Sequence, residues 1–406
     1  MQGGKISKLL KTSISADVLS KFLDILAKDN LYDIHIEPSG STYKIRTRLN
    51  GRLRLLDKVS RKTAEDLISQ LKAKGGVLHT SINIPQEAVF THGSLTVRLF
   101  SLPTLDGEKT YLRVINQKAT NKDLSKLGLY GESLKQLEAI SKMGPGLIIV
   151  LGEGKTTTMF SLLSQFDAST LSLSTIERHA SYKLSGVNQF IAGDNYYDLA
   201  YDAFVAAINQ RSDVILVDDI GTPDLAKLAV DSVHRGKLVI ASLPVNDSFA
   251  AAHFLASLGI KPFLVASSLK IIVRQRIIHT GITTQLEPRP VSANESAKIL
   301  RDYGIEAEKL HKLEGQAKQA GLNEKLPLST SSTAINKLFD LDTEKMTKIT
   351  GVFEVVAVDD AFRHLYLAGA SEQDLRDNFI SSGGIDIRLS YIIKALRKIV
   401  PFLKLE

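Results

Sequence analysis

Leu147-Ile-Ile-Val-Leu151 runs into Gly152-Glu153-Gly154-Lys155-Thr156-Thr157-Thr158, and the apolar stretch Met159–Leu163 follows. An apolar strand, a glycine turn and a Lys-Thr pair opening a helix form the layout of a phosphate loop. In such a loop successive backbone N–H groups and a helix N-terminus surround phosphate oxygens. The lysine supplies a point charge to the outer phosphates, and the following hydroxyl ligates magnesium. Gly152, Gly154, Lys155, Thr156 and Thr157 are therefore the candidate nucleotide-binding residues, with Thr156 as a candidate magnesium ligand. The full motif sets four residues between its first glycine and the Gly-Lys pair, whereas only Glu153 stands there in this chain. The loop is short by the other three. That removes about three N–H donors from the arc, and the Glu153 carboxylate would repel a triphosphate.

The elements that must position this turn are legible in the apolar pattern. Beyond about Leu124, short apolar runs alternate with helical stretches: Leu147–Leu151, Leu171–Ile176, Val214–Val217 and Leu238–Ala241. Each is too short for a buried helix and too continuous for a half-exposed strand, so they predict a parallel sheet of βαβ units. The earlier part of the chain reads differently. Val18, Phe22, Ile25 and Leu26 share one face of an amphipathic helix over 15–28. Alternating residues flank Asn50-Gly51, which predicts a hairpin, and a second hairpin joins Leu95–Leu102 to Lys109–Ile115 across Asp106-Gly107. Strands with few helices between them predict a small α+β domain ending near Gln117.

Residues 285–348 are polar, with Pro288, Pro290 and the Ser329–Thr333 cluster, and predict a mostly helical insertion or linker. In the last segment Leu389, Ile392, Ile393, Leu396, Ile399 and Val400 form an apolar helical stripe, with Lys394, Arg397 and Lys398 expected off it.

Composition bounds the class. The chain has 406 residues, 44% of them hydrophobic and 23% charged, enough for two or three globular domains. No run of about 18 apolar residues predicts a membrane span, and Met1–Lys11 lacks the apolar stretch of a signal peptide. The absence of cysteine fits a reducing cytosol and excludes disulfides and thiolate metal sites. The net charge of +7 permits acidic partners. No basic run is interleaved with stacking aromatics and tryptophan is absent, so nucleic acid is an unlikely partner.

Motifs spread along the chain resemble the type II secretion and type IV pilus assembly ATPases, over most of residues 30–280 and a short piece near 351–375. Asp33-Ile-His-Ile-Glu-Pro38 resembles the family's opening signature, and Arg46–Arg52 its arginine-rich hairpin. Pro85-Gln86, Ser101-Leu-Pro-Thr104, Gly107-Glu-Lys109 and Leu112-Arg113 match later first-domain motifs. Gly186-Val-Asn-Gln189, Asp213-Val-Ile-Leu-Val217, Asn246-Asp247, Gln275-Arg276 and Gly351-Val-Phe-Glu354 keep the order and spacing of the motor. The resemblance implies an α/β fold in which an N-terminal α+β, PAS-like domain (1–118) precedes a RecA-like P-loop NTPase core with a parallel sheet (119–284). The polar segment 285–348 and a C-terminal helical region (349–406) follow.

The departures from the family pattern fall on chemistry. An acidic stretch usually reading Glu-Asp-Pro-Val-Glu is Glu177-Arg178-His179-Ala180-Ser181 here, so Glu177 alone survives. The Walker B segment, usually ending Gly-Glu-Ile-Arg-Asp, is Asp218-Asp219-Ile220-Gly221-Thr222. Asp219 keeps the charge of the water-polarising glutamate at one methylene less reach, and Asp218 is a candidate magnesium ligand. The family's two box histidines fall at Lys237 and Pro244, a motor arginine at Asn209, and the four-cysteine zinc site is absent. Arg98 and Arg113 match first-domain arginines that reach towards the phosphates. In these motors such charges offset negative charge developing in phosphoryl transfer.

Taken together, the resemblance and the departures from it imply an ATPase-like subunit with lost or weak hydrolysis, degenerate catalytic candidates Asp219 and Glu177, and a ring or scaffold role. An active motor with an atypical short phosphate loop is the alternative. ATP and magnesium are the ligands the resemblance implies, and the altered residues weigh against both. It also implies a homo- or hetero-oligomeric ring, hexameric by family. That ring would associate peripherally with an inner-membrane platform protein, on the cytoplasmic face of the membrane.

Overall fold

Period-two alternation of apolar and polar residues builds the first unit of the computed structural model, which describes residues 16–29, 31–49, 52–77, 84–116, 123–179, 183–280 and 348–396 and a few isolated positions. Helix α1 (Ala16–Lys28) is followed by β1 (Asp33–Ser39), β2 (Thr42–Leu49) and β3 (Arg52–Ser60). Then come α2 (Arg61–Lys74), β4 (Gln86–His92), β5 (Leu95–Thr104) and β6 (Gly107–Asn116). Both expected hairpins are present: Leu49 faces Arg52, and Thr104 faces Gly107. The six strands form one sheet in the order β3-β2-β1-β6-β5-β4. One face buries Ile34, Ile36, Ile45, Val97, Leu99 and Leu112 against Phe22, Leu23 and Leu26 of α1 and Leu67 and Leu71 of α2. Burial of that apolar area is the unit's main stabilisation. At its margin Lys72, 5% exposed, pairs with Glu108.

The second compact unit begins near residue 121. After α3 (Gly131–Glu138), strand β7 (Gly146–Gly152) leads into α4 (Lys155–Leu163). The series continues with β8 (Leu173–Glu177), β9 (Val187–Ile191), α5 (Tyr196–Asn209), β10 (Val214–Val217), α6 (Pro223–His234) and β11 (Leu238–Ser242). Then come α7 (Ala250–Ser257), α8 (Pro262–Ser268) and β12 (Leu269–Thr280). Strand β13 (Lys348–Ala357) and helices α9 (Asp360–Leu367), α10 (Glu372–Ser381) and α11 (Ile387–Leu396) close the described chain. The sheet order is β13-β12-β7-β11-β10-β8-β9, and every pair from β12 to β9 is parallel. The four continuous apolar runs are the central strands, buried on both faces because helices cover each side. Strands β9, β12 and β13 widen the sheet beyond them.

The polar segment expected over 285–348 lies almost wholly outside the described residues; a two-residue ladder pairs Arg289–Pro290 with Lys337–Leu338.

The C-terminal stripe is corrected at one position. Ile392 and Ile393 are buried as the period predicts, but Lys394 is buried with them at 2% exposed. Its ammonium donates to the Gly128 carbonyl at 2.6 Å, to the Gly351 carbonyl, and to Thr350 Oγ1 at 3.3 Å, with the Tyr130 ring 5.7 Å away. Residues 397–406 lie outside the described chain.

Behind β12 a charged network fastens the C-terminal elements. Glu354 of β13, fully buried, accepts from Ser248 Oγ at 2.5 Å and lies 3.8 Å from Arg274 and 3.9 Å from Arg376. Both arginines also pair with Asp247, and Arg376 lies over the Phe249 ring at 4.7 Å.

Candidate functional site

Glycine makes the turn between β7 and α4 possible. Gly152 has φ +91° and Gly154 has φ +80°, a conformation that costs an L side chain about 1–2 kcal/mol. Space demands glycine as well. Register sets Gln275 of β12 opposite Gly152, and a Cβ on Gly152 would collide with the Gln275 carbonyl. A Cβ on Gly154 would come within 2.7 Å of Ile277 Cδ1 and 2.9 Å of Gln275 Nε2. The turn therefore lies flat on β12 instead of arching away from it.

Gln275 locks it there. Its Nε2 donates to the Glu153 carbonyl at 2.7 Å, and its Oε1 accepts from the Thr158 hydroxyl, which is 1% exposed. One side-chain amide thus bridges the turn and the first turn of α4. A single residue stands between the two glycines, so the segment held by this brace is short.

The lysine is engaged inward. Lys155 Nζ donates to Ser242 Oγ at 2.8 Å, and that hydroxyl donates to the Asp218 main-chain carbonyl, so Lys155 is tied to the ends of β11 and β10. Thr156 and Thr157 are half-buried on the same first turn of α4.

The two aspartates following β10 are held by neighbours. Asp218 Oδ2 accepts the Arg178 main-chain N–H at 3.2 Å. Desolvation pushes its pKa up, against the pull of that hydrogen bond and the charges of Lys155 and Arg178. Asp219 Oδ1 accepts the Gly221 N–H at 2.7 Å and Oδ2 accepts the Tyr197 hydroxyl at 3.1 Å. Its main chain is clamped too: the Asp219 N–H donates to the Tyr196 hydroxyl at 2.8 Å, which donates to the Asp219 carbonyl at 3.0 Å. Pro244 closes the turn from the other side, 2.8 Å from where a Cβ on Gly221 would stand. Lys237, the other position at which a histidine was missing, lies just ahead of β11, at the strand's opposite end.

Glu177 ends β8 and is 1% exposed. Its Oε1 accepts from Thr175 Oγ1 at 2.5 Å and from Gln189 Nε2 at 2.9 Å, which joins the carboxylate to edge strand β9. Gln189 also accepts the Leu184 N–H at 2.7 Å.

The sheet thus brings Gly152, Gly154, Lys155, Thr156, Thr157, Asp218 and Asp219 to one end of its central strands, with Glu177 alongside. Arg98 and Arg113 belong to the first unit, facing each other across β5 and β6. Arg98 pairs with Glu87 at 2.7 Å and lies over the Phe100 ring at 5.1 Å, while Arg113 is exposed. Gln275, Ser242, Tyr196 and Tyr197 were not singled out from the sequence as members of the site. Only Gln275 carried a signal, as part of a motif, and nothing in chain order ties it to the turn.

A magnesium ion needs several oxygen ligands in near-octahedral array. Both Asp219 oxygens and one Asp218 oxygen already accept hydrogen bonds, and Lys155 and Arg178 already supply two positive charges. Among the described residues no group of three His, Cys, Asp or Glu side chains is placed to hold a metal ion. These hydrogen bonds and cations compete with a magnesium ion for the aspartates, and the Gln275 brace opposes the arching that would wrap a triphosphate.

The family model for "Type II/IV secretion system protein" matches residues 9–397, a wider span than the motifs had marked. The chain belongs to that family. It is 27% identical over 390 residues to the type II secretion system protein HxcR of Pseudomonas aeruginosa, covering 93% of this chain and 74% of that one. It is 31% identical over 290 residues to a type II secretion system protein E of Klebsiella pneumoniae, covering 70% and 58% respectively. The type IV pilus assembly ATPase PilB of Thermus thermophilus is 26% identical over 377 residues, of which this chain spans 40% of the length. Among solved structures, the ATPase DotB of Legionella pneumophila shares the fold at a TM-score of 0.63 and 13% identity, covering 96% of this chain and 94% of that one. The pilus retraction motor PilT, solved with ADP, matches at 0.53 and 16%, covering 91% and 95%.

Proposed function

We propose that this member of the family is an ATPase-like subunit of a type II secretion or type IV pilus assembly machine whose own nucleotide site hydrolyses ATP weakly or not at all. It would serve as a ring or scaffold component. One observation carries the reading: the β7–α4 turn keeps its lysine and threonine but is held against β12 by Gln275. Three further departures fall at the same end of the sheet. Glu153 adds a repelling charge, the Asp219 carboxylate is engaged by the Gly221 N–H and the Tyr197 hydroxyl, and Pro244 replaces an imidazole. Phosphoryl transfer is catalysed by positioning and charge stabilisation, so losses of this kind compound.

By family resemblance the subunit would take a place in a homo- or hetero-oligomeric ring, six-membered in type. The ring would lie beneath an inner-membrane platform protein, on the cytoplasmic face. Among the described residues no helix is long and apolar enough to cross a membrane.

A second reading, an active motor with a short loop, draws on Lys155, Thr156 and Asp218 sharing one end of the sheet. There Lys155 and the first amides of α4 would hold phosphate, and Thr156 and Asp218 the metal. Titration of a fluorescent ATP analogue with magnesium into wild type and Lys155→Ala separates the two. The silent subunit predicts no saturable binding below about millimolar in either protein. Micromolar binding lost in the variant would favour the active motor.

A further inference from the structure

Among the large apolar side chains exposed on the described residues, five fall within one short stretch: Phe190, Ile191, Tyr197, Leu199 and Tyr201, each 41–43% exposed. They sit where β9, the edge strand of the seven-stranded sheet, runs into α5. At about 100° per residue, the solvent face of α5 sets Asp198 and Asp202 in its middle, Tyr197 and Tyr201 on one flank and Leu199 on the other, all of them exposed. Charge marks the same face. From Leu184 to Gln210 the chain has three aspartates and no Lys, Arg or His, although the whole protein carries +7. Tyr197 is already engaged by Asp219 and Arg178, which leaves Phe190, Leu199, Tyr201 and the two aspartates to meet a partner. An apolar face with acid at its centre, beside an open sheet edge, suits a partner that is both apolar and basic.

The chain itself contains such a segment. Beyond Leu396, where α11 ends, it reads Arg397-Lys-Ile-Val-Pro-Phe-Leu-Lys404-Leu-Glu406, three cations and one acid interleaved with apolar residues. Helix α11 lies along β13, since Ser390 Oγ accepts the Phe353 N–H at 3.2 Å and Lys394 reaches the Gly351 carbonyl. Strands β13 and β9 are the two opposite edges of the sheet, six interstrand spacings apart, or about 29 Å. Crossing that distance would use about nine residues fully extended, which leaves almost none to dock. Segment 397–406 therefore cannot serve the patch of its own copy. We propose that segment 397–406 of one copy docks on the β9–α5 face of a second copy, its apolar residues on Phe190, Leu199 and Tyr201 and its cations beside Asp198 and Asp202. The contact is heterologous, one sheet edge to the opposite edge, so it joins copies head to tail. It shares with the proposed function only the self-association of the chain, and it holds whether or not the nucleotide site is silent.

The test is fluorescence anisotropy of a labelled peptide with the sequence of residues 397–406. It is titrated with the full chain carrying Arg397→Glu, Lys398→Glu and Lys404→Glu, so that no native tail competes. Saturable binding is expected, and it should weaken at least about tenfold when the receptor also carries Asp198→Lys and Asp202→Lys. A peptide of the same composition in scrambled order should lose at least about tenfold as well. Equal binding by the scrambled peptide would reduce the contact to unspecific charge, and equal binding by the patch variant would move the site elsewhere. Either result overturns the inference, as does the absence of binding below about 1 mM. Should the patch variant not fold, Leu199→Ser with Tyr201→Ser replaces it, with the same loss expected and equal binding overturning the inference. In sedimentation velocity the wild-type chain should associate with rising concentration. That association should weaken at least about tenfold with the tail reversal and return when tail and patch reversals are combined; an association indifferent to the tail, or not restored by the exchange of charges, overturns the inference. Binding to phosphatidylglycerol vesicles that is lost with the tail reversal, while self-association is unchanged, would make the segment a membrane anchor and likewise overturn it. Because no nucleotide is present, ATP turnover by the wild type would refute the silent-subunit reading without altering any of these results.

Discussion

Replacing Gln275 by leucine keeps most of the side-chain volume and removes both ends of the amide. The Nε2 bond to the Glu153 carbonyl, 2.7 Å in the native fold, contributes about 0.5–1.5 kcal/mol net. The Thr158 hydroxyl, 1% exposed, loses its acceptor and is left buried, which costs about 1–3 kcal/mol more. The sum is about 1.5–4.5 kcal/mol, concentrated on the β7–α4 turn. Thr158→Val alone strands Gln275 Oε1 instead. The double variant removes both partners of that bond, so its cost should fall short of the sum of the singles by about 1–2 kcal/mol. Amide hydrogen exchange over residues 147–163 reads the local free energy directly. Gln275→Leu should speed exchange there by about 10- to 1,600-fold, at tenfold per 1.4 kcal/mol. Additive single-variant costs, or an acceleration below about threefold, would show that Gln275 does not brace the turn.

Three more outcomes follow from the same geometry. Asp219→Glu, which restores the family's side-chain length, should leave phosphate release at background, because the Gly221 N–H and Tyr197 hydroxyl hold the carboxylate whatever its reach; a rise of tenfold or more in a malachite-green assay would contradict this. Glu108→Ala removes the partner of Lys72, 6% exposed at the side chain, and should cost the first unit about 3–5 kcal/mol in urea unfolding, whereas a loss below about 1 kcal/mol would mean the ammonium is solvated. Asp247 is desolvated, but Arg376, the Phe249 N–H and Arg274 outweigh that and hold its pKa below the usual aspartate value. A depressed carboxylate stabilises the fold above its unfolded pKa and loses that contribution as pH falls through the folded one. Thermal midpoints between pH 5 and pH 3, spanning the ordinary aspartate value of about 4, should therefore drop more steeply for wild type than for Asp247→Asn; parallel curves would remove Asp247 from the network.

The fold was legible where burial leaves a periodic mark. Four apolar runs became β7, β8, β10 and β11, and alternation around Asn50-Gly51 and Asp106-Gly107 became the two hairpins. The family was legible from motifs spread over both units. What escaped are contacts made across the fold. Lys394 sits beside an apolar stripe and has the sequence signature of a solvated charge. Its stem nevertheless carries the ammonium to carbonyls at Gly128 and Gly351, which no helical period foretells. Gln275 is a polar residue in a mixed strand, and its role exists only because β12 pairs with β7 in the register that sets it against Gly152. Asp219 shows the same limit. Its missing methylene is visible in the sequence, but the two hydrogen bonds that hold its carboxylate are not.

The most direct test is steady-state ATP turnover by the purified full chain with magnesium, beside Lys155→Ala prepared identically. A short turn braced on β12 predicts the same residual rate in both proteins, at least about a hundredfold below the roughly 1 s−1 lower bound of ordinary enzymes. Turnover near 1 s−1 that disappears with Lys155 would contradict it.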